Sequence, residues 1–214
     1  MGNTSLITLL IIGVNVLFSM QGFKDTAFFN RYKFSVREIN RGEYVRMFSS
    51  GFLHVDWSHL LFNMITLYFF ADVVIFYLGN FQFVMVYLLA LVLGNLFSLY
   101  FHRNEPYYTA VGASGAVTGI LYAAIMLNPQ MTVILMIIPM PAYLLGIGYL
   151  LYSIYGMRMR SDNIGHSAHF GGAVAGYAYT LVLHPELFAR NPLLVSALLA
   201  PIALLFIMHK MNKL

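Results

Sequence analysis

The sequence predicts an all-α polytopic membrane protein, and three observations predict it. Of 214 residues, 60% are apolar and 9% are charged, against roughly 45–50% and about 25% in an average soluble domain. Mean hydropathy is +0.74. The apolar residues gather into seven runs, and a helix crossing the hydrocarbon core needs roughly 17–25 such residues. This composition excludes a disordered chain and argues against a soluble domain. With 12 Lys and Arg against 8 Asp and Glu, the bases are too few for a groove-binding patch, so no nucleic-acid partner is expected. There are no cysteines. Disulfides, thiolate metal sites and a cysteine nucleophile are all excluded.

The expected spans are Thr4–Met20, Ser58–Leu78, Gln82–Phe101, Ser114–Asn128, Met131–Tyr155, His169–His184 and Leu193–Met208. The first reads as an anchor helix rather than a signal peptide, because Met1–Ser5 carries no Lys or Arg. Met1-Gly2 does not make a myristoylation signal, since the sixth residue is Leu6 rather than Ser or Thr. The fourth, sixth and seventh runs are short, as suits helices buried among others and starting below the surface. Gly79–Asn80 and Pro129–Gln130 read as tight turns on one side. The polar stretch Gln21–Trp57 lies on the other, too long for a plain connection, so it is expected to carry structure or function. The loop Met157–Ser167 is polar, with Arg158, Arg160 and Asp162. Seven spans leave residues 1–214 as a single membrane-embedded domain, a partner to the lipid bilayer.

Four polar features sit at helix ends on the long-loop side, where lipid makes such residues costly. His59 and Asn63 are four apart and share a helix face. An interfacial histidine and a helix-bridging asparagine would look the same. Gly112-Ala113-Ser114-Gly115 puts a serine at a helix N-terminus, where a plain cap is the simpler explanation. His169 opens the sixth run two residues after Ser167. Gly115 with Gly119, and Gly172 with Gly176, make two grooves of small residues. If these grooves face one another, Ser114 and His169 lie at the same end of one close helix contact. That joint arrangement says more than any single motif.

Together these residues resemble the rhomboid intramembrane serine proteases over about Gly42 to Gly176. The family pattern is H-x-x-x-N on the second helix, G-x-S-G at the fourth and A-H-x-x-G-x-x-x-G on the sixth. Here these are His59 with Asn63, then Gly112, Ser114 and Gly115, then Ala168-His169 with Gly172 and Gly176. His54 falls on a further histidine that the family often carries, and Gly42-Glu43 with Arg46 resembles its structured first loop. Two positions depart. Val45 precedes Arg46 where the family commonly has tryptophan, and Thr118 stands where many members place an aromatic beside the catalytic histidine. The resemblance implies a six-helix bundle, about 4–184, plus one added C-terminal helix, about 193–208.

It also implies a serine endopeptidase acting on transmembrane protein substrates, with neither cofactor nor metal. Ser114 would be the nucleophile and His169 the general base. No carboxylate lies in a span near His169 (Asp72 is elsewhere), so a dyad is expected rather than a triad. Asn63, His59 and the Ser114 backbone N–H would form the oxyanion hole. The fifth helix, with Pro139, Pro141, Gly146 and Gly148, would supply a mobile wall. Family analogy puts the enzyme in a plasma (inner) membrane, with its site opening to the extracytoplasmic side. Base counting argues the reverse, because every Lys and Arg except Arg190 lies on the long-loop side. Two other readings stay open. His54, Asp56, His59, His166 and His169 could ligate a divalent metal in a transporter or metalloprotease, or the chain could be an inactive relative that binds membrane helices. The sequence leaves oligomeric state open.

Overall fold

A computed structural model describes residues 5–135, 137–159, 164–211 and 213. Thr4, Met1-Gly2, Arg160 and Asp162, all part of the sequence expectations, lie outside the described residues. The chain runs α1 (Leu6–Lys24), α2 (Thr26–Tyr32), β1 (Phe34–Ser35), α3 (Val36–Asn40) and α4 (Arg46–Ser49). A 3-10 turn (Ser50–Phe52) leads into α5 (Trp57–Phe101), then β2 (Thr109–Ala110) and α6 (Ser114–Leu127). Next come β3 (Thr132–Leu135), β4 (Ile138–Pro141), α7 (Ala142–Met159), α8 (His166–Leu183), α9 (Glu186–Arg190) and α10 (Pro192–Lys210). By length and composition, α1, α5 and α10 can cross a membrane, and α6 is a shorter apolar helix.

α5 is two helices joined at Gly79. That residue has φ +81° and ψ 168°, non-helical values inside a 45-residue run. A positive φ of this kind suits glycine, which has no Cβ to clash. The expected second and third spans are therefore its two limbs, and the Ser5 hydroxyl donates to the Asn80 side chain at 2.8 Å, closing the bend onto α1. Asp56 starts the first limb by accepting the His59 N–H at 2.7 Å and the Ser58 hydroxyl at 2.7 Å. These bonds hold its carboxyl below the usual carboxylate range. The cap fixes the turn that carries His59 and Asn63.

The centre of the fold is α6, where every residue from Gly115 to Leu127 is buried. A helix apolar all round belongs inside a bundle, which is why so short a run suffices. At their glycines, α8 packs against α6, and the second limb of α5 against α8, backbone to backbone. A methyl group at Gly172 would run into the Gly115 carbonyl oxygen, and one at Gly176 into that of Gly119. One at Gly94 would lie 2.8 Å from the Ala168 oxygen. The two glycine grooves do face each other. α10 packs at the edge, with Phe206 against Phe97 and the Tyr177 hydroxyl donating to Val195 O at 3.2 Å.

The described residues are mostly helical, as expected, but one expectation needs correcting: the fifth run does not form one helix from Met131 to Tyr155. Residues Thr132–Leu135 and Ile138–Pro141 make an antiparallel ribbon, and the helix begins only at Ala142. Pro139 and Pro141 give the reason. A proline inside a helix removes a hydrogen bond and clashes with the preceding turn, whereas a strand edge tolerates it. These prolines are not breakers within a mobile helix.

The long loop has structure of its own. β1 pairs with β2, Phe34 opposite Ala110 and Ser35 opposite Thr109, tying it to the segment before Ser114. Arg46 is buried, 7% exposed. Its guanidinium donates to the carbonyls of Asn30 at 2.8 Å and Lys33 at 2.9 Å, and meets Glu43 at 2.7 Å. One buried cation thus satisfies three acceptors from two parts of the loop.

Candidate active site

Ser114 opens α6, so its backbone N–H has no partner within the helix. The approach to it is fixed from the long loop. The Gly112 N–H donates to Ser50 O at 3.0 Å, and the Ala113 N–H reaches the His54 Nε2 at 3.4 Å. Gly112 has φ +134°, open to glycine, and a Cβ there would lie 2.7 Å from the His59 Cε1 and 2.9 Å from its Nε2. Glycine therefore serves twice, for the backbone turn and for the imidazole's approach.

His169 faces Ser114 across the glycine contact. Its Nε2 lies 2.9 Å from the Ser114 Oγ. Its Nδ1 lies 2.9 Å from the Ser153 Oγ on α7. Tyr149, one turn earlier on α7, puts its hydroxyl 3.1 Å from Nε2 and its ring 4.8 Å from the imidazole, tilted 31°. Sequence reading missed both α7 residues. Their spacing of four was the available signal, but a tyrosine and a serine in an apolar helix look like ordinary packing. The Thr118 hydroxyl donates to Ser114 O at 2.6 Å. The ring expected at position 118 is thus supplied from another helix.

Asn63 donates its side-chain N–H to His59 O at 2.9 Å, within its own helix rather than across to another. It lines a cavity of about 630 Å³ together with Ser114, Thr118 and Tyr149. His59 Nδ1 is buried, with no hydrogen-bond partner among the described residues. His54 is fully buried, taking Ser19 of α1 at 2.8 Å on Nδ1, and its ring meets His59 edge-on at 4.9 Å. Among the described residues no three His, Asp or Glu side chains converge on a point that could hold a metal. His54 is engaged by Ser19 and Ala113, and Asp56 by its helix cap.

The sequence pattern of the Rhomboid domain family matches residues 41–186. The chain belongs to the rhomboid family. It is 31% identical to the RHOMBOID-like protein 12, mitochondrial, of Arabidopsis thaliana, over 81% of this chain and 57% of that one. It is 29% identical to the Rhomboid protein 1, mitochondrial, of Saccharomyces cerevisiae (63% and 40%) and 32% identical to the Rhomboid protease GluP of Bacillus subtilis (75% and 30%). The chain therefore spans between about a third and somewhat over half of these relatives' lengths. The rhomboid family includes proteases, as the last name states. The expected plasma-membrane location is corrected by the first two rhomboid relatives, whose names place them in mitochondria.

His54 gives this site a pH dependence. Burial, and to a lesser degree the His59 ring, push its pKa from 6.5 down to about 3, with Asp56 opposing weakly. A histidine depressed in the fold stays neutral while the unfolded chain takes up a proton. Stability is therefore full above about pH 6.5 and falls as pH drops from there towards 3. At about 1.4 kcal/mol per pH unit, the loss at pH 5 is about 2 kcal/mol. The thermal midpoint in detergent is expected to fall between pH 7.5 and 5, and to fall less in His54→Gln.

Proposed function

We propose that this chain is an intramembrane serine endopeptidase that cuts peptide bonds in or near transmembrane segments of other proteins by a Ser114–His169 dyad. The observation that carries this reading is the 2.9 Å contact between the Ser114 Oγ and the His169 Nε2 at the edge of a cavity. Ser114 attacks the carbonyl while His169 Nε2 takes its proton, then returns it to the leaving amine. With Ser153 accepting from Nδ1–H, the tautomer with a free Nε2 is the favoured one. Ser153 carries no charge, so the imidazolium gains less stabilisation than from a carboxylate. Tyr149 orients the ring in place of an aromatic at 118. The oxyanion lies near the Ser114 N–H, with the Asn63 amide and His59 as further donors.

On this reading the six-helix core is α1, the two limbs of α5, α6, α7 and α8, with α10 as the added seventh, all one membrane-embedded domain. His54, Gly112, Gly115, Gly172 and Gly176 are supporting residues that place the dyad. Neither cofactor nor metal takes part in the steps. A fluorophosphonate probe is expected to label Ser114 in the wild-type protein. Labelling should fall to background in His169→Ala, because a serine without its base is a poor nucleophile. Equal labelling in both proteins would remove the dyad.

A further inference from the structure

Two hydroxyls reach for one lone pair. A neutral imidazole carries one N–H and one acceptor nitrogen. With Nδ1–H given to Ser153, His169 has only the Nε2 lone pair left. The Ser114 Oγ lies 2.9 Å from that nitrogen and the Tyr149 hydroxyl 3.1 Å. Only the first contact activates a nucleophile. A phenol that donates to Nε2 occupies the place that the Ser114 proton must enter, and the serine is then left without its base. Tyr149 stays close in any case, because its ring packs 4.8 Å from the imidazole. The side chain that orients the base also competes for it.

The competing proton needs another acceptor, and Thr118 offers one. It stands four residues after Ser114 on α6, so its hydroxyl sits over the Ser114 carbonyl and donates to it at 2.6 Å. That bond uses the hydrogen and leaves the Thr118 oxygen as an acceptor. The Tyr149 hydroxyl is within hydrogen-bonding reach of it, and both residues line the cavity beside Ser114. Thr118 is buried, and from Gly115 to Leu127 only Thr118 and Tyr122 carry a side-chain hydroxyl. Valine would fill the same space without burying a polar group. The helix does not call for the hydroxyl either, since bonding back to the preceding turn slightly destabilises it. What threonine has and valine lacks is an acceptor within reach of Tyr149.

We propose that Thr118 is a positioning residue that draws the Tyr149 proton away from His169, so that the Nε2 lone pair is kept for Ser114. The donors then run in series, from the Tyr149 hydroxyl to the Thr118 oxygen and from the Thr118 hydroxyl to Ser114 O. Tyr149 keeps its proton throughout, and no group other than His169 takes one from Ser114. The proposal rests on the protease reading and names what sets the availability of its base. The departure at position 118 then has a use. Once the aromatic beside the histidine comes from α7 and brings a hydroxyl with it, position 118 has to supply an acceptor rather than a ring.

The rate at which a fluorophosphonate labels Ser114 reads the activation of the serine without a substrate. Thr118→Val is expected to lower that rate about tenfold, or about 1.4 kcal/mol, the scale of one neutral hydrogen bond. It should lower kcat for a synthetic transmembrane peptide by a similar factor, with little change in KM. Thr118→Ser keeps the acceptor and is expected to restore most of the rate. The deciding measurement repeats Thr118→Val in a Tyr149→Phe background, where no phenol competes. There the valine should cost less than about twofold. A loss of the same size in both backgrounds would assign the effect to the bond with Ser114 O or to packing, and would overturn the proposal. An unimpaired Thr118→Val, or a Thr118→Ser that labels no faster than the valine variant, would overturn it too. Should Tyr149→Phe alone take no probe, the single variants at 118 decide: a loss in valine that serine restores supports the proposal, and any other result ends it. If wild-type protein neither cuts the peptide nor takes the probe, the protease reading itself falls.

Discussion

Ser114→Ala is expected to bring cleavage of a membrane-embedded substrate to background while the fold survives. In serine hydrolases, removing the nucleophile costs on the order of 10⁶ in turnover, far beyond what a slow membrane reaction leaves measurable. The structural cost is small. Alanine is the best helix former, and the side chain borders a cavity, so no packed volume is lost. His169 keeps its contacts to Ser153 and Tyr149, so its ring stays in place. Wild-type and variant proteins should therefore share a thermal midpoint in detergent and differ in cleavage of one transmembrane substrate. Cleavage by the variant at the wild-type rate would end the proposed mechanism. A variant that fails to fold would instead show Ser114 to be a cap that α6 needs.

The parts of this site legible in the sequence are those encoded by spacing on one helix. Ser114 before Gly115 and Gly119, and His169 before Gly172 and Gly176, mark two small-residue faces, and a close contact between them brings the polar ends together. His59 and Asn63 share a face for the same reason. Tyr149 and Ser153 were not legible because their meaning comes only from what α7 lies against. The ribbon was hidden by composition. Met131–Pro141 is as apolar as the helices around it, and apolar content does not distinguish strand from helix over so short a run. Two prolines two apart were the usable sign, since that spacing fits the outward positions of one strand edge. The long loop's structure was hinted at by its length, but Arg46 reaching Asn30 and Lys33 could not be read from a line of residues. Location was misjudged because it was taken from family analogy, while composition specifies a bilayer and not which one.

Gly172→Ala is expected to damage stability and activity together. The added methyl would meet the Gly115 carbonyl oxygen, which belongs to backbone and cannot rotate away. The helices must separate, and close packing elsewhere leaves them little room to do so. Overpacking of a tight interior costs about 1–3 kcal/mol, and a backbone clash lies at the upper end. The same displacement moves His169, three residues earlier on α8, away from Ser114, one residue before Gly115 on α6. A misplacement of about 1 Å can cost about 10²-fold in rate, so activity should fall further than stability alone explains. Gly148→Ala on α7 is the matched control, because a Cβ there meets nothing within 4 Å. It adds the same methyl with up to about 1 kcal/mol of helix propensity in its favour, and should be neutral or stabilising. If both variants behave alike in thermal unfolding and cleavage, close approach of α6 and α8 is not what positions the dyad. A loss confined to Gly172→Ala ties the hydroxyl–imidazole contact to the absence of two side chains that never touch substrate.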